Sequence, residues 1–208
     1  MKTFVSAIII TLITLGCKDK SNEQADNKPA TITTNDTISS TDPKRYLPVA
    51  DFIREDIRNI DSFATGILLR KTTGNKRDST YINPIEFKKL ANQFLPAELD
   101  SATFHAQFTE SSLADPGSEV LNFIYTANTD KTSLRKIILY ITPTQTGDKI
   151  SRIYMEKQIV SGDTSVSQKL TWKMKEYLII AENKQTNSGF NSTEVRKAVW
   201  DPQKFAEQ

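Results

Sequence analysis

Cys17 carries the most reactive side chain of this 208-residue sequence, which contains no second cysteine. It follows an uncharged run, residues 4–16, and a polar stretch begins directly after it at Lys18. A single cysteine excludes an intrachain disulfide, and a lone thiol in an exported chain needs an explanation. Cys17 is therefore the first residue whose chemistry the sequence must account for.

His105 is the only histidine, so serine–histidine or cysteine–histidine catalysis would have to run through it. No acid stands beside it in sequence, and the chain has no His-x-x-x-His or Cys-x-x-Cys pair for zinc. Glycine-rich phosphate loops and Gly-x-Ser-x-Gly elbows are also absent from the sequence. We therefore expect no catalytic residue, no metal site and no cofactor. The open alternative is an enzyme acting on envelope polysaccharide, which would need two acids brought together by the fold.

An acidic, hydroxyl-rich segment at residues 109–117 predicts a loop. Glu110 and Asp115 are the carboxylates in it that could hold a calcium ion. The oxygen-ligand spacing of an EF-hand is missing, so a loop closed by its own side-chain caps is the expected outcome.

A lysine-rich strand near the C-terminus is the candidate surface for anionic headgroups or glycans. The alternative is a solvated sheet face that lysines keep soluble. The residues concerned are Lys169, Thr171, Lys173 and Lys175, with Arg152 and Lys157 nearby.

The first sixteen residues have the pattern of a secretory signal: a charged start at Lys2, an apolar run and a small residue before a cut site. The run is shorter than the roughly 20 apolar residues that span a bilayer. Thr14-Leu15-Gly16-Cys17 resembles the lipobox of bacterial lipoprotein precursors. The resemblance implies a cut before Cys17, lipidation of its sulfur and acylation of its new amino group. An ordinary secretory signal with an unmodified thiol is the alternative.

Two short motifs are similar to signals of one bacterial phylum. Residues 18–23 look like the lysine-and-acid segments that send lipoproteins of the Bacteroidota to the cell surface. Asp36-Thr37-Ile38 resembles their O-glycosylation site. These resemblances imply an envelope lipoprotein held at the outer membrane, facing the periplasm or the cell surface.

Composition divides the chain into three parts. Residues 1–16 are the predicted signal peptide, residues 17–43 a lipidated tether too polar to bury a core, and residues 44–208 one globular domain. The formal net charge is +2, from 27 basic and 25 acidic residues. That balance gives no electrostatic case for nucleic acid. The expected partners are the membrane, through Cys17, and a protein or lipid.

Helical periodicity is confined to the first part of the domain. Residues 48–60 predict a helix with an apolar stripe that includes Ile53 and Ile60, whereas Asp56 is expected on the wet face. Asn83, Pro84 and Glu86 predict the capped start of a second helix. A hairpin at residues 65–72 and 78–82 lies between these helices.

From residue 119 the pattern alternates with period two. It predicts strands near residues 119–126, 134–142, 149–160, 166–174, 177–181 and 194–200. The fold class is therefore α+β: a curved antiparallel meander of about six to eight strands, packed against N-terminal helices. By its order of elements it resembles the half-barrel of periplasmic lipoprotein carriers and the cone of nuclear-transport-factor-like and cystatin-like domains.

The expected function is that of a membrane-anchored envelope lipoprotein with a non-catalytic binding domain. The alternative is a lipid or lipoprotein carrier with an apolar half-barrel cavity, onto which Trp172 and Trp200 would face.

Replacing Cys17 with Ser should abolish lipid attachment, because the hydroxyl does not form the thioether. We expect the variant to leave the detergent phase in Triton X-114 partitioning and to incorporate no labelled palmitate. Ser21→Ala, beyond the cut site, is the control and should behave as wild type. Unchanged palmitate labelling of the Cys17→Ser chain would contradict the lipobox interpretation.

Overall fold

The computed structural model describes residues 47–63, 66–100, 102–115, 117, 120–145 and 147–205. Predictions for the leader and the tether, including Cys17, lie outside these residues. The helices are α1 (Val49–Phe63), α2 (Pro84–Ala91) and α3 (Phe104–Gln107), with 3-10 turns at Asn92–Phe94, Ala97–Asp100 and Pro202–Lys204. No described helix has the length and apolar character needed to cross a membrane.

The strands form one open antiparallel sheet in the order β2-β1-β9-β8-β7-β6-β5-β4-β3. Their bounds are β1 Ile67–Thr73, β2 Lys76–Ile82, β3 Phe108–Asp115, β4 Val120–Ala127, β5 Leu134–Thr142, β6 Lys149–Ser161, β7 Thr164–Lys173, β8 Tyr177–Thr186 and β9 Asn191–Val199. Strands β3 to β9 follow one another as a meander. The N-terminal hairpin adds to β9, so β2 and β3 are the two edges.

This topology explains the helical layer. The chain must pass from β2 at one edge to β3 at the other, and α2, two 3-10 turns and α3 occupy that connection. The α+β prediction, a curved antiparallel sheet packed against N-terminal helices, is confirmed. We call the sheet face that packs against the helices the inner face, and the opposite one the outer face.

Alternating apolar side chains of the inner face meet the apolar stripes of α1 and α2. Ile53 and Phe87 on the helices are buried together with Leu139, Met155 and Leu170 on the strands. Each fully buried side chain of this size stabilises the fold by about 1.5–3 kcal/mol relative to its exposure to water. The helices are therefore held by the same face that gives the strands their period of two.

The sheet has nine strands, one more than the upper bound predicted. The additional strand is β3, which falls on the segment predicted to be a loop around Glu110. Its backbone pairs with β4 from Phe108 to Asp115. Pairing with the otherwise unpaired side of β4 outweighs the weak strand propensity of its residues, and the strand is an edge, where polar residues are tolerated.

Helix α2 begins as the sequence predicts. The Asn83 side chain accepts a hydrogen bond from the Glu86 N–H (2.9 Å), and the Glu86 carboxylate accepts one from the Asn83 N–H (3.0 Å). Pro84 occupies the first turn, where its missing N–H costs nothing. This reciprocal capping fixes where the chain turns from β2 towards the inner face.

Asp56 is the one helix residue that the sequence pattern assigned to the wrong side. It is 2% exposed, and its Oδ2 accepts hydrogen bonds from Trp172 Nε1 (2.8 Å) and from the Lys175 N–H (3.0 Å). Positions 49, 53, 56 and 60 follow the spacing of a buried helical stripe, so Asp56 points into the core with its apolar neighbours. Burial raises the pKa of this carboxyl, and the two hydrogen bonds partly offset that rise.

Lys175 adopts a positive φ of 66° in the turn between β7 and β8. That conformation is unfavourable for a residue with a Cβ. The hydrogen bond from its N–H to Asp56 compensates, so one carboxylate ties α1 both to a strand and to the turn that follows it.

Replacing Asp56 with Ala should lower the free energy of unfolding by about 2–4 kcal/mol, because two buried donors lose their acceptor. Asp56→Asn keeps an acceptor oxygen and should cost less. Urea denaturation of the unlipidated mature chain (residues 17–208 with Cys17→Ser) measures both. Asp51→Ala, an exposed change on the same helix, is the control. Equal losses for Asp51→Ala and Asp56→Ala would contradict the anchoring role.

Asp56 should also make a distinctive contribution to the pH dependence of stability. Its folded pKa is raised above the unfolded value, so its contribution is complete below about pH 4 and declines as pH rises through the folded pKa. The stability of the wild type relative to Asp56→Asn should therefore increase on acidification from pH 7 to pH 4. Urea denaturation at each pH measures the difference, and a difference that falls on acidification would contradict the raised pKa.

Candidate functional site

Cys17, the predicted lipidation site, lies outside the described residues, so the structure neither supports nor opposes it. His105 lies in α3 with its imidazole exposed and 6.2 Å from the Phe104 ring. No group of three or more His, Cys, Asp or Glu side chains that could hold a metal ion occurs among the described residues.

The lysine-rich surface predicted around β7 divides between the two faces. Alternation puts Lys169, Thr171 and Lys173 on the outer face, with Arg152 opposite Lys173 on the neighbouring strand. Lys157 belongs to the inner face, where its ammonium approaches the Gln93 carbonyl (3.5 Å). Burial lowers the Lys157 pKa, and the charge of Glu98 partly offsets that effect. The prediction that Lys157 joins the basic surface is therefore wrong. Lys157 and Met155 are two residues apart in β6, so both lie on the inner face.

The outer face is strongly basic. On strands β1, β2 and β4–β9, strand alternation places one acid on this face within the described residues, Glu156. The Tyr154 hydroxyl donates to Glu156 (2.9 Å), and burial, together with this carboxylate, raises the Tyr154 pKa. The cations of this face include Arg70, Arg77, Lys136, Lys149, Arg152, Lys169, Lys173 and Lys197.

Like charges stand directly opposite one another twice on this face. Arg70 is the register partner of Lys197, and Arg152 is that of Lys173. Directly opposed like charges in neighbouring strands destabilise a sheet. Arg152 lies 3.8 Å from the centre of the Tyr140 ring, and Lys197 lies 4.6 Å from that of the Tyr177 ring. Aromatic rings therefore hold these cations without neutralising their charge.

A hollow of about 560 Å³ opens where β1, β2 and β9 adjoin. Its lining comprises three cations, two hydroxyl-bearing residues and one apolar residue at outer-face positions. Two further lining residues occupy inner-face positions. The lining consists of Arg70, Arg77, Lys197, Thr72, Ser79, Val195, Lys71 and Asp78. By alternation the first six share the outer face, whereas Lys71 and Asp78, which are register partners, share the inner face.

Arg70 is held in place by the C-terminal turn. Its guanidinium donates to the carbonyl oxygen of Phe205, whose ring stands edge-on to Tyr81 at 6.1 Å. The last described residues therefore fold back onto the outer face beside the hollow. Within the described part of the chain, neither Arg77 nor Lys197 forms an ion pair with a carboxylate.

The inner face carries its own charged cluster beyond the helical cover. Glu194 binds the Lys71 ammonium (2.8 Å) and lies 3.2 Å from Arg196 Nε, while Glu182 accepts from Gln168 (2.9 Å) and lies 3.5 Å from Arg196. Glu182 and Glu194 are register partners. The hydrogen bond from Lys71 holds the Glu194 pKa below its usual range.

A polysaccharide-acting enzyme would need two acids brought together by the fold, and Glu182 and Glu194 are the register partners that come nearest to this. A general acid requires a carboxyl whose pKa is raised, whereas Glu194 is held ionised by its cations. Asp56 has a raised pKa but is buried against Trp172 and turned away from solvent. Glu194 thus belongs to an ion-pair cluster, and Asp56 to a buried hydrogen-bonded contact.

The interior beneath the helices is filled by aromatic rings. Trp172 lies 5.1 Å from Phe94 and 6.2 Å from Phe87, and Trp200 lies 5.5 Å from Phe87, measured between ring centres. Spacings of 4.5–7 Å are those of packed aromatic pairs. Trp172 and Trp200, which the carrier hypothesis places on a cavity wall, are packed against helix residues.

A scan against protein-family models gives no match, and a search of curated proteins gives none either. The function must therefore be argued from the site itself.

Sequence analysis missed Arg70, Arg77 and Lys197, which belong to three strands. The hairpin alone brings Arg70 and Arg77 to one face, because Arg70 pairs with Ser79, and Ser79 and Arg77 are two residues apart in β2. Nothing local indicates that β9, at the far end of the meander, pairs with β1 and adds Lys197.

Replacing Glu194 with Gln should lower the free energy of unfolding by about 0.5–1 kcal/mol at pH 7, because Lys71 and Arg196 lose their anion. The pKa of Glu194 is depressed in the folded chain, so this contribution is present above the unfolded pKa and is lost as pH falls. The difference from wild type should shrink below about pH 4. Urea denaturation at both pH values measures it, with exposed Asp148→Asn as control. A difference that persists at low pH would refute the ion-pair interpretation.

Proposed function

We propose that this chain is an envelope lipoprotein, anchored to the outer membrane through lipidated Cys17, whose globular domain is a non-catalytic binding module for an anionic partner. The observation that carries the binding part is the charge of the outer face. Among the described residues of β1, β2 and β4–β9, Glu156 is the one acid at an outer-face position, and it accepts a hydrogen bond from Tyr154. The lipobox resemblance carries the anchoring part.

The energetics of the outer face support a role in binding. Folding alone would favour alternating charges on neighbouring strands, yet Arg70 faces Lys197 and Arg152 faces Lys173. Acids are available elsewhere, on α1 and on the inner face, where they neutralise neighbouring cations. An anion that binds between like charges relieves their repulsion, and the positive potential attracts such a partner from a distance.

Dextran sulfate, a sulfated polymer without phosphate, is the probe for this proposal. The variant Lys136→Gln/Lys169→Gln/Lys173→Gln removes three outer-face charges outside the hollow. At about 1 kcal/mol for each lysine near an anionic surface, the affinity of the unlipidated mature chain should fall roughly 100-fold at moderate salt. Binding to immobilised polymer, measured by interferometry, gives the affinities.

The matched control is Lys76→Gln/Lys89→Gln/Lys131→Gln, which removes the same net charge from exposed lysines that are not on the outer face. It should weaken binding by less than about threefold, the effect of net charge alone at moderate salt. Equal losses in the two triple variants would show that net charge, and not this face, governs binding. Absence of binding by the wild type would overturn the proposal for the domain.

A further inference from the structure

We propose that the hollow between β1, β2 and β9 is a binding site for the phosphate group of a phosphorylated ligand. This inference rests on the proposed function, because it names the ligand chemistry of one place on the basic outer face. The residues that line the hollow differ from the lysines of β5 and β7. The phosphate-site proposal can therefore fail while the anionic-binding proposal stands.

The register brings the donors to a common centre. Arg70 faces Lys197 across one strand pair and Ser79 across the other, while Thr72 faces Arg77 and Val195 one step along. Directly opposite side chains in antiparallel strands start about 5 Å apart, and diagonal ones about 7–8 Å apart. The Arg77 guanidinium and the Lys197 ammonium can therefore approach the same group beside Arg70, whose guanidinium also binds the Phe205 carbonyl. The Thr72 and Ser79 hydroxyls share this face.

The charge of the hollow favours phosphate over a single carboxylate. A phosphate monoester carries close to two negative charges and three terminal oxygens at neutral pH. Guanidinium groups match that geometry with paired donors, and they stay charged at every physiological pH. The carboxylate in the lining, Asp78, has inner-face parity and faces Lys71 across the hairpin.

The hollow is also partly organised before any ligand arrives. The Phe205 carbonyl holds the guanidinium of Arg70, and the Tyr177 ring holds the ammonium of Lys197. Prior ordering lowers the entropy that binding must overcome. The volume of about 560 Å³ lies in the range of small-molecule sites, so the phosphate would arrive attached to a larger group.

Two sources of such a phosphate are a soluble phosphorylated molecule and the headgroup of an anionic phospholipid. The experiment uses glycerol 3-phosphate for the first and vesicles of phosphatidylcholine with phosphatidylglycerol for the second. Amide chemical-shift titration of the unlipidated mature chain measures affinity and location together. The hollow variant is Arg77→Gln/Lys197→Met.

The matched control is Arg152→Gln/Lys173→Met, which removes the same two charge types from the other pair of facing cations. Phosphate contacts by charged side chains are worth about 1.5–3 kcal/mol each, so we expect at least a tenfold loss of affinity in the hollow variant. For glycerol 3-phosphate the control should lose less than about threefold, as expected for charges beyond contact distance of the hollow. For vesicles its loss should be smaller than that of the hollow variant. Wild-type shifts should be confined to β1, β2 and β9.

Glycerol 3-phosphate binding with this pattern supports the site with a soluble source. Vesicle binding alone with the same variant dependence supports it with a lipid source. Wild-type shifts spread over the whole outer face, or equal losses in the two variants, would overturn the hollow while leaving the anionic-binding proposal in place. Dextran sulfate binding without any response to either phosphate probe would do the same. The map of chemical-shift changes in the wild-type chain requires no variant. It therefore shows whether phosphate binds at the hollow even if a variant fails to fold.

Discussion

One buried carboxylate couples the two layers of this domain. Asp56 accepts hydrogen bonds from the indole of Trp172 and from the backbone of Lys175, so a single oxygen joins α1 to β7 and to the turn that follows it. Burial makes the charged form costly, and the two donors are what make it tolerable. The orientation of α1 on the sheet, and with it the sealing of the aromatic core, depends on this contact.

The inner face changes character along its strands. At one end Leu170 and Trp172 pack beneath the helices, and at the other Gln168, Glu182 and Arg196 form a hydrogen-bonded polar cluster. The apolar end determines where the helices lie, because only that end gains from being covered. The polar end ties neighbouring strands together through its own hydrogen bonds and ion pairs.

Charge is distributed by face rather than by segment. Asp51 on α1 and Glu194 on the inner face are paired with cations close by, whereas the described outer-face positions of β1, β2 and β4–β9 carry several cations and one acid. A net charge of +2 conceals this arrangement. The positive charge of the outer face follows from strand alternation, and it exists although the chain as a whole carries almost no net charge.

The sequence by itself determined what depends on neighbouring residues: the leader pattern ending at Cys17, the capped start of α2 at Asn83, and the strands whose period of two requires one buried face. Local propensity and periodicity are sufficient for these. Tertiary structure decided that Asp56 is buried, that β3 is a strand, and that β9 pairs with β1. Each of these depends on partners far away in the chain, such as Trp172 for Asp56, and no local pattern specifies a distant hydrogen bond or a strand neighbour. The basic hollow exists only because that last pairing brings Lys197 beside Arg70.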